Sequence, residues 1–399
     1  MPGRTCDIAI VGGGLSGGLA ALALAQHRPE ISVRLLEAGP RIGGNHRWSW
    51  FASDLTPAGE ALLSPVRKTQ WDDGYDVHFP EYRRHLATPY RSIASEDFSE
   101  ALKRELPDGT LHTGAEAAGV EAGLIGLRDG TVITARAVID ARGFQPTQHL
   151  QGGWQVFMGR HIRTKTPHRV TRPIVMDAAV PQLDGYRFVY VLPLGAQDLF
   201  LEDTYYQDSP VLDRGALSSR LDEYGRAHDW DDAQLVGFET GVLPVVTGGN
   251  FAAWQDDVRI EGVARIGARG GFWNPLTSYT MPFAVETALA IAEDADLPGD
   301  QLAAKLDRAA RRHWARTRQY RQLATMLFGA AEPRERYRIL QRFYRLKRPL
   351  IERFYAARST LGDRARVLAG KPPVPISSAI RALTTSREPL LAGHEGEAA

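Results

Sequence analysis

The first forty residues constrain this chain more than any other part of it. Asp7-Ile8-Ala9-Ile10-Val11 is an apolar run that passes directly into Gly12-Gly13-Gly14-Leu15-Ser16-Gly17, and the next apolar run, Val33-Arg34-Leu35-Leu36, ends on Glu37. A strand, a glycine turn, an Ala/Leu-rich helix from Leu15 to about His27 and a second strand ending in an acid describe a βαβ unit that holds a dinucleotide. Gly12 lets the chain turn out of the strand. Gly14 leaves room for the backbone to approach a pyrophosphate, and Gly17 lets the helix pack on the strand. The helix N-terminus turns the positive end of its dipole toward the phosphates. Glu37, twenty residues beyond Gly17, can accept hydrogen bonds from ribose hydroxyls. A carboxylate there suits FAD or NAD and repels a 2′-phosphate.

The following residues favour FAD. Ala38-Gly39-Pro40-Arg41-Ile42-Gly43-Gly44-Asn45-His46 is a second glycine-rich stretch directly after the acid. Such loops occur in flavoproteins of the glutathione-reductase type, with Arg41 able to meet a phosphate and Gly43 and Gly44 admitting the cofactor. Further on, Ala137-Val138-Ile139-Asp140 reads as a buried strand delivering Asp140, Ala141, Arg142 and Gly143 to the same ligand, because strands of this fold end at it. Val263 to Gly267 returns there again. Residues 152–250 are strand-rich, and the chain is mostly helical from Met281. The expected architecture is α/β: a glutathione-reductase-type, FAD-binding Rossmann-like fold with an inserted antiparallel β-sheet substrate domain and a helical C-terminal region. The expected division is a discontinuous cofactor domain (1–50, 95–150 and 255–300), a substrate region (51–94 and 151–254) and a basic helical region (301–399).

Charge is unevenly spread. Residues 301–399 carry 21 Lys and Arg against 8 Asp and Glu, whereas the first 300 carry 27 against 39. A basic tail on an acidic body points to an anionic partner surface, and no nucleic-acid-binding motif accompanies it. Between Arg334 and Arg358, Leu340, Phe343, Tyr344, Leu350, Ile351, Phe354 and Tyr355 recur at helical spacing among basic residues. This predicts an amphipathic basic helix, bent or split at Pro349, that attaches peripherally to the inner membrane. No apolar run is long enough to span a bilayer, and the N-terminus enters a strand at once, so neither a transmembrane helix nor a signal peptide is expected. The lone Cys6 can form no internal disulfide and leaves no basis for a structural zinc site. A cytoplasmic protein, peripheral on the inner membrane, is the resulting expectation.

The chain resembles the bacterial lycopene β-cyclases, a carotenoid-cyclising branch of the FAD flavoproteins. The matching segments are Gly12–Gly17, Gly43–Ser49, Asp140–Gly143, Gly153–Phe157, Pro173–Asp177, Asp184–Tyr190, Leu201–Tyr206 and Gly262–Ala284, collinear over roughly residues 5–290. The Gly153–Tyr206 set is the specific part. The resemblance implies that lycopene or a related ψ-ended carotenoid is cyclised by proton-initiated carbocation chemistry. FAD acts in its reduced form, NAD(P)H is the reductant, and there is no net redox. It further implies Glu202 as the proton donor, burial raising its pKa, with Asp203 orienting it or meeting the flavin. The cofactor contacts implied are Gly12, Gly13, Gly14, Leu15, Ser16, Gly17, Glu37, Arg41, Gly44, Asn45, His46, Asp140, Arg142, Gly143, Gly267, Asn274, Pro275 and Thr277. Asn274 and Ser278 depart from the family, which carries a histidine and a glycine there. Of the many aromatics near these motifs, Trp273 is the one expected to line the reacting site.

Two other readings remain. An FAD monooxygenase of the same fold usually has Gly-Asp-Ala-x-His where this chain has Gly262-Val263-Ala264-Arg265-Ile266-Gly267, and it would consume oxygen. A non-catalytic carotenoid-binding protein would keep FAD only structurally and would have no use for the acid at the strand end, Glu202.

Overall fold

The computed structural model describes residues 5–183, 185–370 and 374–391; Asp184 of the matching segments lies outside them. Two large sheets share the chain. The first has seven strands, in the order Leu111–Thr113, Val33–Glu37, Thr5–Val11, Val132–Asp140, Leu124–Leu127 and Ala117–Glu121, with Val263–Arg265 added beside Val132–Asp140. Its central pairs are parallel, and Val11 sits between Leu36 and Asp140 while Asp140 sits beside Arg265. The carboxyl ends of four strands therefore line up at one edge, where the expected ligand-binding turns emerge.

The helix after the turn, Leu15–His27, matches the sequence reading, and its residues from Leu19 to Leu24 are all buried. A helix apolar all round needs cover on every side. Here it lies against the Met281–Glu293 and Ser95–Glu105 helices and against the sheet. Gly17 permits the close fit: a Cβ there would sit 2.0 Å from the carbonyl oxygen of Gly12.

The second sheet has eight strands. Its order is Gln234–Gly249, Thr147–Arg163, Asp198–Gln207, Tyr186–Pro193, Ile174–Asp177, Tyr75–Phe79 and Tyr82–Leu86, with Pro389–Leu390 beside Thr147–Arg163. The strands read from the sequence within 152–250 all belong to it. One pair departs from the antiparallel expectation, since Ile174–Asp177 runs parallel to Tyr75–Phe79. Those strands are joined by a long excursion through the first sheet, so no hairpin sets their direction. A small sheet of Arg47–Phe51, Tyr90–Ala94 and Thr69–Trp71 lies between cofactor-side and substrate-side elements.

The C-terminal region splits near Pro349, as expected, but the apolar face expected over Arg334–Arg358 to meet a membrane is turned inward. That stretch divides into a short 3-10 turn at Pro333–Glu335 and two helices, Tyr337–Phe343 and Arg348–Tyr355. Pro333 and Pro349 each sit in the first turn of a new element, where a missing N–H costs nothing. The apolar residues Phe343, Tyr344, Leu350, Ile351, Phe354 and Tyr355 are buried in the core of the second sheet. The exposed apolar residues lie further along: Leu361 and Leu368 on the Leu361–Leu368 helix, and Ile376, Ile380 and Leu383 on the Ile376–Thr384 helix. Among the described residues no helix is long and apolar enough to cross a membrane.

Gly17→Ala is expected to cost about 1–3 kcal/mol through overpacking and to lower the thermal midpoint by several degrees. Gly14→Ala, whose Cβ would meet nothing within 4 Å, should unfold at the parental temperature. Thermal unfolding of the two variants side by side checks this, and equal midpoints would refute it.

Candidate active site

The aligned strand ends and the second sheet enclose a cavity of about 1410 Å³. Gly14, Leu15 and Ser16 at the helix N-terminus form one wall, with Gly43, His46, Ala141 and Gly143 near them. The open space over Gly14 is where a backbone-bound phosphate fits, and no acidic side chain occupies the first helical turn to compete with it. Gly12 has φ of 107° and donates its N–H to the Leu36 carbonyl at 2.8 Å. Glu37 ties the turn to the next loop, one carboxylate oxygen accepting from the Gly13 N–H at 2.8 Å and the other from the Gly39 N–H at 2.7 Å. Each oxygen keeps a second lone pair for a ribose hydroxyl.

The remaining predicted contacts divide. Gly43 is anchored by its N–H to the Gly13 carbonyl at 2.8 Å. Gly44 takes φ of 65°. Arg41 is exposed and does not line the cavity. Asn45 is also exposed and donates to the Phe238 carbonyl at 2.6 Å, reaching across to the second sheet. Asp140 is buried and accepts from the Arg142 backbone N–H at 3.1 Å and from its guanidinium at 2.9 and 2.7 Å, which holds the Ala141–Gly143 turn against the cavity. Gly267 packs on the helix start, where a Cβ would fall 2.5 Å from Ser16 Oγ.

The loop from Gly270 to Pro282 shows what the two departures do. Asn274 is completely buried and does not line the cavity. Its Oδ1 accepts from the backbone N–H groups of Leu276 at 3.0 Å and Thr277 at 3.4 Å, so it folds the loop locally. Pro275 accepts from the Val246 N–H at 2.9 Å, fastening that loop to the second sheet. Ser278 has φ of 57°, a left-handed conformation that glycine adopts without strain; its hydroxyl donates to the Pro244 carbonyl at 2.9 Å and offsets the strain. Trp273, Ser278 and Thr280 are the loop residues that face the large cavity. The Trp273 indole N–H has no protein acceptor, and its backbone carbonyl accepts from His313 Nε2 at 2.8 Å. Burial pushes the His313 imidazole down to about 4, so it is neutral there.

Next to the large cavity is a smaller one of about 190 Å³, and His46, Trp48, Leu243, Ser278 and Thr280 border both. Glu202 lies in it. Tyr190, Glu202, Gly159 and Glu239 form one row across four neighbouring strands. Glu202 and Glu239 flank Gly159, and their carboxyl groups come within hydrogen-bonding reach of each other. Glu202 also accepts from the Thr204 hydroxyl at 2.8 Å. Its residual exposed surface faces the cavity, and burial pushes its pKa up to about 7. Burial, with the neighbouring Glu202 charge added, pushes Glu239 well up as well.

Asp203 is not brought to this cavity. Side chains alternate along a strand, so it faces the opposite side of the sheet, fully buried against Arg187 Nε at 2.9 Å and the Tyr205 hydroxyl at 3.2 Å. It neither orients Glu202 by contact nor reaches the dinucleotide cavity; it adds only distant negative charge to Glu202. Sequence reasoning missed Glu239. The signal was an acid in the stretch that forms the Gln234–Gly249 strand.

A third cavity, about 280 Å³, lies on the other side of Thr277, which borders both and whose hydroxyl has no protein partner. Tyr186, Tyr206, Leu327, Phe343 and Tyr355 line its inner part, and Leu368, Ile376, Ile380 and Leu383 its outer part.

The fold is shared with solved structures of distant sequence. A probable FAD-dependent monooxygenase from Pseudomonas aeruginosa superposes with a TM-score of 0.56 at 18% identity, covering 84% of this chain and 98% of its own. A geranylgeranyl bacteriochlorophyll reductase-like protein from Thermoplasma acidophilum gives 0.59 at 13%, covering 95% and 98%. Sequence comparison is more specific. The model of the lycopene cyclase protein family matches residues 7–381. A lycopene beta-cyclase from Pseudescherichia vulneris is 44% identical over 94% of this chain and 96% of its own, and one from Paracoccus sp. is 41% identical over 95% and 97%. The chain belongs to the lycopene cyclase family.

Ser278→Ala, which keeps the left-handed backbone and loses the hydrogen bond to Pro244, should lower stability by about 1 kcal/mol. Ser278→Gly, which relieves the strain, should stay within about 0.5 kcal/mol of the parent. Urea unfolding of both variants gives the comparison, and equal losses would show that strain plays no part.

Proposed function

We propose that this chain is a lycopene β-cyclase that converts the ψ end-groups of lycopene to β-rings, first to γ-carotene and then to β-carotene. The observation that carries the reading is Glu202: an acid whose raised pKa favours the protonated form, in a small cavity between a dinucleotide-sized cavity and an apolar one. That is the arrangement a proton-initiated cyclisation of a hydrocarbon requires.

The cofactor that suits the large cavity is FAD, held by the Gly12–Gly17 turn, Glu37 and the Asp140–Gly143 turn. Reduced FAD bound there, kept reduced by NAD(P)H, supplies negative charge that stabilises a neighbouring carbocation, and no electrons pass to the product. Glu202 donates its proton to the terminal double bond of the ψ-end. The neighbouring internal double bond attacks the tertiary cation, and loss of a proton completes the ring, so the formula is unchanged and the reaction is an isomerisation by an intramolecular lyase. Tyr190, Tyr279 and Phe157 border the acid cavity and offer π faces to the cation. They also keep water, a competing nucleophile, away from it. The rest of the polyene extends past Thr277 into the apolar cavity.

The outer end of that cavity suits a membrane surface. Leu361 is 80% exposed and Ile376 66% exposed, and Ile380, Leu383 and Leu368 are exposed beside them, with Arg364, Arg366 and Arg381 on the same two helices. Apolar residues interleaved with arginines fit an anionic lipid surface, in which a hydrocarbon substrate dissolves. In this reading the peripheral attachment to the inner membrane uses these helices, since the apolar side of Arg334–Arg358 is buried.

Expression in a lycopene-accumulating bacterium should yield β-carotene, and Glu202→Gln should leave lycopene at levels at least a hundredfold above the parent's residue. Unchanged lycopene with folded, FAD-loaded parent protein would refute the function, and NADPH-dependent oxygen consumption would favour the monooxygenase reading. Separately, the parent should float with anionic vesicles at low salt while Ile376→Glu/Ile380→Glu sediments. Equal flotation of the two would remove these helices from the membrane contact.

A further inference from the structure

The Glu202–Glu239 row contains a feature that a single proton donor does not need. Both acids oppose Gly159, one from each neighbouring strand. Their backbones are thus separated by a whole strand, and only the missing side chain between them lets the carboxyl groups meet. A Cβ on Gly159 would lie 2.3 Å from the Phe200 ring and 3.0 Å from Glu239 Cγ. Glu239 is buried and is fixed from the other side by the backbone N–H of Arg47. Two carboxyl groups in contact away from water cannot both ionise readily.

We propose that Glu239 is the positioning residue for proton transfer: Glu202 and Glu239 form an acid pair over Gly159 that retains a shared proton after a lone glutamic acid would have lost its own. The inference rests on the reading of Glu202 as the donor. The balance closes within the pair. The shared proton leaves through Glu202 to the less substituted carbon of the terminal double bond, whose π electrons form the new C–H bond and leave a tertiary cation. The electrons of the internal double bond then form the C–C bond that closes the ring. The ring cation then releases a proton from the adjacent carbon to the doubly ionised pair, restoring it for the second end. No co-reactant is consumed.

The groups facing the pair keep the titration in these two acids. Tyr190 on the adjoining strand, Tyr90 on the small sheet and Tyr279 on the loop are phenols pushed up by burial. His46 borders the cavity with part of its surface exposed, and the desolvated part of its ring is held below the usual imidazole range. Arg47 is the facing cation, its charge also drawn toward Asp97 and Glu96, and a guanidinium stays charged. Asp203 acts only through the sheet.

A raised carboxyl pKa means the proton is present at low pH and lost as pH rises. The pair holds a last proton to higher pH than either acid alone, so wild-type turnover should persist into the alkaline range. Glu239→Gln should match wild type within threefold at pH 6 and fall at least tenfold below it by pH 8.5. Gly159→Ala, which wedges the acids apart, should show the same acidward shift of the alkaline limb. A readout independent of turnover is the C=O stretch of a protonated carboxyl in infrared difference spectra. At pH 8.5 it should persist in the wild-type protein and disappear in Glu239→Gln. An alkaline limb unmoved in Glu239→Gln, a loss equal at every pH, or no protonated carboxyl at pH 8.5 in wild type would each overturn the pair. An active Glu202→Gln would instead overturn the donor reading while leaving the infrared result intact.

Discussion

Two carboxyl groups held inside a β-sheet, beside a cavity sized for a dinucleotide, are the constraint on which the rest of the structure depends. Burying an acid is unfavourable by several kcal/mol unless it is neutral or paired. The sheet meets that demand by letting the two acids meet each other, adding the Thr204 hydroxyl to one and the Arg47 N–H to the other. Burial that would be a liability in a structural protein is what keeps an acid protonated near neutral pH.

The strand Thr147–Arg163 carries this arrangement from one half of the molecule to the other. It pairs along most of its length with strands on both sides. Trp154 on it borders the large cavity, Gln155 and Phe157 border the acid cavity, and Gly159 lies under the acids. The separation between the cofactor cavity and the acids is therefore set by a rigid, twice-paired strand. The C-terminal helices close the structure from the far side, with Phe343, Phe354 and Tyr355 packed in the same core as Tyr186 and Tyr206. They also line the apolar cavity that reaches toward the surface.

The two departures from the family pattern are conservative in physical terms. Asn274 uses its side-chain oxygen to fold the loop that carries Trp273 and Thr277. Ser278 keeps a backbone conformation natural to glycine and secures it with a hydroxyl bond to Pro244. Both act on the shape of the loop, and the loop residues that face the large cavity are their neighbours Trp273 and Thr280 together with Ser278 itself.

Features within about forty residues of each other were legible in the sequence. The Gly12–Gly17 turn, its helix and Glu37 are local geometry, and the strand through Glu202 announces itself by its apolar run. Asp203 was assigned wrongly to the same work because adjacency in sequence means opposite faces in a strand. Glu239 could not be paired with Glu202 from the sequence, since their meeting depends on the register of two strands against a third and on the absence of a side chain at Gly159. The helical spacing over Arg334–Arg358 was real, but hydrophobic periodicity reports only that an apolar face exists. Whether that face meets lipid or the protein's own core depends on what the rest of the chain places beside it, and here it is the core. The sequence by itself determined that a dinucleotide turn and an acid on an apolar strand exist in this protein; the structure puts that acid inside the Asp198–Gln207 strand rather than at its end, and the tertiary structure alone decided that it has a partner, because contact between distant strands is a property of packing.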